Sequence, residues 1–306
     1  MKSLGAYAFA NAKIHAMLGR LFDASVIDEL VQAEEYTKFI TELKNTQYFS
    51  ALQNIPVEDI TAFEKSLFEY DRAIFLKIAK CFKKREKDFV FLLLERYRLD
   101  EVKYAVRLYL AQYAGVTVSR DEFLSYIKED IYKEVLSSVW EEYVRSGSSF
   151  YLESALEKDY FSRLWKNTFS LLPDDRHTLQ YILYLEADME NQLRIMRFNR
   201  YYKLEDKEML NHLIPWGRVF KQAEKGKIPL SQQAEAHNGD IAAFEIDLRI
   251  LFLRKLKRLL RAYPFTIMTV LSFLILKQNE TKNIITIANC KKHSLTAEET
   301  KRMVLC

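Results

Sequence analysis

Hydrophobic residues recur at helical spacing along most of the chain. Between positions 57 and 113 apolar residues such as Ile60, Phe63 and Leu67 return every three or four positions, and the pattern resumes at Phe91. This spacing places apolar side chains on one face of an α-helix. The pattern predicts two long helices here, joined as a hairpin.

Cap and turn signals mark where the following helices begin and end. Ser119 and Glu122 form a capping-box pattern, which predicts a helix that runs toward Tyr143. Gly147 predicts the end of that helix, because glycine readily adopts the left-handed conformation found after a helix. Pro173 predicts a break between two further helices.

Two more long hairpins follow from the same reasoning. The second covers 150–203 and is broken at that proline, and the third pairs 240–263 with 264–289. A second capping-box pattern, at Thr296 and Glu299, predicts a short last helix. The pattern therefore predicts a chain built on long helix hairpins.

Composition supports an all-α fold class. The 306 residues include only seven Gly and five Pro. Sheet proteins need many tight turns that contain these residues, whereas helix hairpins need few. Hydrophobic residues make up 49% of the chain, which is enough for several packed helical units.

A faint repeat links the second helices of the three hairpins. Each carries an acidic residue followed three positions later, on the same helical face, by Asn or Lys. The pairs are Asp100 with Lys103, Asp188 with Asn191, and Glu280 with Asn283. Their even spacing, 88 and then 92 residues, predicts three pseudo-repeated helical units. We place these units at 1–116, 117–205 and 206–306, with the N-terminal helix free to pack against the third.

Charge excludes some partners and suggests others. The net charge is only +4, with basic and acidic residues interspersed, so a nucleic-acid partner is not expected. One predicted helix nevertheless carries Arg254, Lys257, Arg258 and Arg261 at helical spacing, and we call these four residues the basic stripe. The stripe is a solvated helix face, a contact for an acidic protein, or a contact for anionic lipid headgroups.

Two other sets of polar residues can be explained without a binding partner. The charged residues Lys83, Lys84, Arg85 and Lys87 fall at the turn of the first hairpin, where solvation is sufficient. The repeated polar pairs, together with Arg194, either line a binding surface or form hydrogen bonds between helices.

No catalytic or metal-binding pattern is present in the sequence. It has no HExxH, no glycine loop for phosphate and no GxSxG. The five histidines are scattered, and the three cysteines form no CxxC pair, which fits a reducing cytoplasm. We therefore expect no catalytic residues, no metal, no cofactor and no small-molecule substrate.

One uncharged stretch of 15 residues, 262–276, is too short to span a membrane. A span needs about 20 mostly apolar residues. We expect a buried core helix instead.

Motifs at both ends of the chain match the pattern of one family. Near the beginning stand Tyr7, Asn11, Ala12, Lys13, Ala16, Met17, Arg20, Leu21, Thr46 and Tyr48. Near the end stand Pro264, Phe265, an apolar helix, Lys277, Glu280, Asn283, Lys291, Lys292 and a closing helix after Thr296. In this order and spacing the chain resembles the C subunit of V/A-type ATPases, whose eukaryotic counterpart is the d subunit.

The chain departs from the family pattern at several positions. Lys13 stands where Arg is usual and Thr266 where Gly is common, while Lys291 with either Cys290 or Lys292 replaces a Gly-Lys pair. The resemblance is thus to a divergent member.

The resemblance implies a fold, a role and a set of partners. The fold would be a funnel-shaped protein of three related helical domains. Its place would be the cytoplasmic face of the membrane, one copy per complex, between the rotor ring (c/K type) and the central stalk (D and F type). Its role would be non-catalytic: it would transmit torque that couples ion transport to ATP hydrolysis or synthesis.

Partner-binding candidates come from the repeated pairs and the basic stripe. They are Asp100, Lys103, Asp188, Asn191, Arg194, Glu280, Asn283, Arg254, Lys257, Arg258 and Arg261. Two rival interpretations remain open: an unrelated peripheral membrane scaffold that uses the stripe on lipid headgroups, and a helical enzyme with an unrecognised site.

Overall fold

A computed structural model describes residues 2–113, 118–202, 204–230, 240–262 and 266–305 of the chain. Within these ranges the chain forms sixteen α-helices and no β-strand. The predicted all-α fold class is therefore confirmed. The same ranges contain no helix with the combined length and apolar character that a bilayer span requires.

The helices follow one another in chain order with short connections. The first eight are α1 Lys2–Leu18, α2 Ala24–Gln32, α3 Tyr36–Lys44, α4 Phe49–Leu52, α5 Ile60–Ala79, α6 Lys84–Gln112, α7 Arg120–Tyr126 and α8 Asp130–Ser138. The other eight are α9 Trp140–Ser146, α10 Ser149–Thr168, α11 Pro173–Arg197, α12 Asp206–His212, α13 Gly217–Glu224, α14 Ile241–Ala262, α15 Met268–Lys292 and α16 Ala297–Met303. A π-helical turn, Phe198–Tyr202, extends α11.

The helices group into two compact units. The first unit comprises Met1–Phe91 and Phe244–Cys306, and the second comprises Leu92–Ala243. Helix α6 begins in the first unit and continues into the second. The division into three pseudo-repeated units stays a prediction.

Helix α15 forms the centre of the first unit. Every residue from Met268 to Gln278 is buried, and the helix packs against α1, α2, α3, α5 and α16. Most of the uncharged stretch thus lies in a buried core helix, as predicted from its length; its residues 263–265 are outside the described part of the chain. Aromatic contacts such as Phe75 with Phe273, whose ring centroids are 5.5 Å apart, fill the space between α5 and α15.

The second unit is built on the pairing of α10 with α11. Helices α12 and α13 cover one end of this pair, where Ile195, Phe198, Met209 and Val219 form a buried cluster. Large side chains in such a cluster contribute most of the burial that stabilises a helical unit.

Helix boundaries largely follow the predicted caps. Gly147 ends α9 with φ +68°, and Thr296 forms a complete capping box with Glu299. The side chain of Ser119 accepts a hydrogen bond from the backbone N–H of Glu122, as expected of an N-cap. The predicted single helix after Ser119 is wrong, however: the chain leaves the helix at Ile127, whose side chain is buried, and three short helices follow one another in this stretch. Burial of Ile127 outweighs the local preference for a continuous helix.

Gly217 occupies a backbone position that other residues cannot adopt without strain. Its φ is +89°, and a Cβ atom there would lie 2.3 Å from Oδ1 of Asp188. The carboxylate can approach this closely because glycine has no side chain. Gly217 therefore allows α13 to begin against α11.

We expect Gly217→Ala to lower the free energy of unfolding by about 2–4 kcal/mol. Alanine is strained at this positive φ, and its Cβ atom would displace the carboxylate of Asp188. Gly226→Ala is the matched control, because Gly226 also has positive φ but a Cβ there meets no atom within 4 Å. The control should lose only about 1–2 kcal/mol. Urea unfolding of both variants measures the difference, and equal losses would contradict the role of the Asp188 contact.

Candidate functional site

A buried charged cluster in the first unit contains one of the predicted site residues, Glu280. The ammonium group of Lys277 donates to Oε1 of Glu280 at 2.7 Å and lies 3.5 Å from Oδ1 of Asp71. It also donates to the hydroxyl of Tyr48, over whose ring it sits at 4.3 Å from the centroid. One cation is thus shared by two carboxylates in the interior of the unit.

Glu280 is held from several directions. The Tyr48 hydroxyl donates to its Oε1 at 2.6 Å, and the backbone N–H of Phe22 donates to its Oε2. Glu280 therefore connects α15 with the chain on both sides of α2 and α3.

Asp71 has a raised pKa because its carboxyl group is buried. Burial raises the pKa of Asp71 to about 6, against the lowering effect of Lys277 and of the Thr281 hydroxyl that donates to Oδ2 at 2.7 Å. Burial, together with Glu280 and Asp71, also raises the pKa of Tyr48 well above its usual range. The sequence carries a signal for Asp71, because it lies on the apolar face of α5, four residues after Leu67 and four before Phe75.

Asn283 is buried and holds the chain segment at Leu305. Its Nδ2 donates to the carbonyl of Leu305 at 2.7 Å, and its Oδ1 accepts from the N–H of Leu305 at 3.0 Å. The amide side chain thus pairs with both polar groups of a single backbone residue.

The repeated pair in the second unit makes the same kinds of contact. Asn191 accepts from the N–H of Ile214 at 2.8 Å and donates to its carbonyl at 3.0 Å. Asp188, three residues earlier, accepts from the backbone N–H of Val219 at 2.8 Å, and burial raises its pKa. In both units the acid accepts a backbone N–H and the asparagine pairs with both polar groups of one distant backbone residue. The threefold repeat itself stays a prediction.

The remaining pair, Asp100 and Lys103, behaves differently. Lys103 donates to Oε1 of Glu157, and Arg194 donates to Oε2 of the same carboxylate at 2.6 Å. Arg194 is only 2% exposed and also donates to the carbonyl of His212 at 2.7 Å. Burial would raise the pKa of Glu157, but the two cations outweigh burial and lower that pKa to about 2.

Another ion pair in this unit has no counterpart in the sequence-based predictions. Arg96 donates through both terminal nitrogens to Glu186, at 2.7 and 3.0 Å, between α6 and α11. Their separation of 90 residues leaves no local signal in the sequence. Such two-point pairing fixes the relative position of the two helices.

The basic stripe lies on the exposed face of α14. All four side chains are exposed, and none forms an ion pair with a carboxylate in the described ranges, while Phe252, Leu253, Leu256 and Leu260 on the other face are buried. The stripe therefore has cationic groups that the rest of the unit does not neutralise.

A cavity of about 440 Å³ joins the stripe to the predicted motif residues of α15. Its walls include Arg254, Lys257 and Arg261 from the stripe and Glu280 and Asn283 from α15, but not Arg258. Apolar side chains of α1, α2, α14 and α15 form much of the rest of the wall, together with the polar side chains of His15, Asp23 and Asn279. The structure thus brings together five of the predicted site residues in one cavity of the first unit.

The described residues hold no group of three or more His, Cys, Asp or Glu side chains arranged to bind a metal ion.

Comparison with known proteins decides which family this architecture represents. A family model described as "ATP synthase (C/AC39) subunit" matches residues 10–303. The chain belongs to this family. The resemblance found in the terminal motifs is therefore confirmed, and Lys277 and Glu280 of that motif are members of the buried cluster.

Similar proteins in archaea carry names from the same family. The C subunit of the A-type ATP synthase of Thermococcus gammatolerans is 24% identical over 97% of this chain and 89% of its own length. Those of Pyrococcus abyssi and Desulfurococcus sp. are 22% and 23% identical, over 97% of this chain and 90% of theirs. As a member of the ATP synthase (C/AC39) family, the chain is a subunit of a rotary ATPase complex with protein partners.

Glu157→Gln should destabilise the protein by about 3 kcal/mol at pH 7, because it leaves the buried Lys103 and Arg194 without their carboxylate. The folded-state pKa of Glu157 is depressed, so its contribution is present above pH 4.5 and is lost as the pH falls toward 2. Denaturant unfolding between about pH 3 and 7 measures both effects.

Asp28→Asn serves as the control for this experiment. Asp28 pairs with Lys301 on the surface, where the two side chains are 47% and 63% exposed. Loss of such a pair costs about 0.5 kcal/mol or less. A Glu157→Gln variant as stable as this control would contradict the buried network.

Asp71→Asn should stabilise the protein increasingly as the pH rises. The folded-state pKa of Asp71 is raised to about 6, so its favourable contribution is complete below pH 3.8 and is lost as the pH rises through 6. The substitution removes that loss while Glu280 still neutralises Lys277. Relative to wild type, the variant should gain about 2–3 kcal/mol between about pH 4 and 7.5 in urea unfolding, and parallel pH curves would contradict this.

Proposed function

We propose that this chain is the non-catalytic adaptor between the membrane rotor ring and the central stalk of a V/A-type rotary ATPase. In this role one copy sits peripherally on the cytoplasmic face, contacts ring subunits of the c/K type and stalk subunits of the D and F type, and transmits torque. The torque couples ion transport to ATP hydrolysis or synthesis. Family membership and the names of the archaeal relatives support the assignment to such a complex.

The basic stripe is the observation that carries the docking part of the proposal. Four exposed cations occupy about two turns of α14, beside a cavity large enough to receive a side chain. Unbalanced charge of one sign accelerates association with an oppositely charged surface and orients it. An acidic surface of the stalk or of the ring loops is the partner that this arrangement fits.

The buried residues of the repeated pairs contribute by holding the docking walls in place. Glu280 and Asn283 use their hydrogen-bonding groups inside the unit, so they shape the cavity beside the stripe. Lys103, Asn191 and Arg194 likewise use their polar groups for contacts within the second unit.

Stiffness is the second property that an adaptor of torque needs. Close-packed interiors compress little and transmit strain. Helix α15 is buried along most of its length and is tied to α5 through Lys277, Asp71 and Thr281. Such cross-links between helices resist the sliding that would dissipate an applied load.

A lipid-binding scaffold is the rival function, since anionic headgroups also attract a basic helix face. Lipid attraction predicts binding to anionic vesicles in the absence of any rotor subunit. The stripe lies next to a walled cavity, which favours a protein partner with shape as well as charge.

Affinity purification of tagged protein from gently solubilised native membranes tests the proposal. We expect stalk and ring subunits to co-purify, identified by mass spectrometry, together with ATPase activity. Changing Arg254, Lys257, Arg258 and Arg261 to Glu should reduce this recovery at least about tenfold, because attraction becomes repulsion. The fold should persist, since all four side chains are exposed.

The matched control changes Lys83, Lys84, Arg85 and Lys87 to Glu, an equal change of charge at the turn between α5 and α6. Recovery with this variant should stay near that of wild type. Recovery of the wild-type protein alone, from cells that contain an assembled rotary ATPase, would refute the proposal and favour the lipid scaffold.

A further inference from the structure

A second cleft lies in the other unit, between α11 and α13. Its volume is about 480 Å³, and we call it the α13 cleft. Tyr181, Tyr184 and Leu185 of α11 form one wall, and Gly217 and the residues that follow it form the other. The two walls meet where Asp188 accepts the backbone N–H of Val219.

The α13 cleft is strongly basic. Arg218, Lys221, Lys225 and Lys227 line it, all four are exposed, and none forms an ion pair with a carboxylate in the described part of the chain. Asp188 is the one acidic residue among the described lining residues, and it already accepts a backbone hydrogen bond. The cleft therefore carries a surplus of cationic groups.

One of these cations is held in position before any partner arrives. Lys221 donates to the hydroxyl of Tyr184 at 3.0 Å, and its ammonium group lies 4.6 Å from the centroid of that ring. A side chain held in this way loses less conformational entropy on binding. Lys221 thus presents an oriented charge at the edge of the cleft.

The opposite wall of the cleft is aromatic and apolar. It favours an occupant that carries an apolar group as well as negative charge. Tyr181 is 43% exposed, and Leu185 lies one turn further along the same face of α11. A free phosphate or a flat layer of headgroups would leave this aromatic and apolar wall unused. A peptide that carries both carboxylates and a large apolar side chain would use the cations and the wall together.

We propose that the α13 cleft is a second docking surface, and that it binds an acidic segment of a partner subunit of the rotary complex. A large apolar side chain of that segment packs between Tyr181 and Leu185, and its carboxylates pair with Lys221, Lys225 and Arg218. The inference rests on the proposed function, because an adaptor between two partners needs two docking surfaces. Each unit then has a basic cleft lined by the acid of one repeated pair, Asp188 in one unit and Glu280 in the other.

Site-specific photo-cross-linking in native membranes tests this surface. The photoreactive residue p-benzoylphenylalanine replaces Lys225 in the cleft of one tagged variant and Arg258 in the basic stripe of another. We expect the Lys225 position to form an adduct with a subunit of the rotary complex, mapped by mass spectrometry to a peptide that contains Asp or Glu.

Charge reversal shows whether the adduct depends on the cleft. Arg218→Glu, Lys221→Glu and Lys227→Glu, combined with the photoreactive residue, should reduce the adduct about tenfold. The matched control reverses Lys166, Arg200 and Lys207, which are exposed in the same unit outside the cleft, and should leave the yield unchanged. Circular dichroism melting verifies that each variant is folded.

Several outcomes would overturn the inference. One such outcome is an adduct with lipid alone, and another is an adduct with a protein outside the complex. A third is an equal adduct yield in both triple variants. A productive cross-link from Arg258 with none from Lys225 would refute the α13 cleft and leave the proposed function standing. Failure of both positions, with no co-purifying rotor subunit, would refute both.

Discussion

A helix that is buried on most sides can carry charged groups only where its neighbours supply partners, and α15 is such a helix. Its Lys277 ammonium group is satisfied by Glu280 one turn later, by Asp71 of α5 and by Tyr48 at the start of α4. Displacing any of these elements would leave a buried charged group of the cluster without one of its partners. The shared cation therefore constrains how α15, α5 and the chain at Tyr48 are arranged in the first unit.

The same constraint shapes the second unit with different residues. Glu157 serves two cations there, and Asn191 holds Ile214 as Asn283 holds Leu305 in the first unit. Each of these amide side chains accepts from the N–H and donates to the carbonyl of one backbone residue, as a neighbouring β-strand would. The two hydrogen bonds hold a chain segment against a helix. Both units thus use polar residues inside helices to position segments that form the walls of clefts.

Buried and exposed polar groups differ in whether the chain itself supplies their partners. The buried ones are neutralised within the chain and provide rigidity. The exposed cations of α14 and of α13 have no such partners among the described residues, and both sets lie beside a cleft. A surface that is charged, concave and rigid suits a protein that joins other proteins, and a rotary ATPase needs such a component.

The sequence by itself determined the all-α class, the long helices, the caps at Gly147 and Thr296, and the family, because each of these depends on local spacing or on motif order. It also located the basic stripe, since helical spacing is a local property. Only the tertiary structure decided that Glu280 and Asn283 bind within their own unit, that Asp71 and Tyr48 share Lys277, and that Glu157 joins Lys103 to Arg194. These contacts connect residues that are 22 to 258 positions apart, except for the local pair of Lys277 and Glu280. Their energies come from burial and pairing across helices, which no single stretch of sequence encodes.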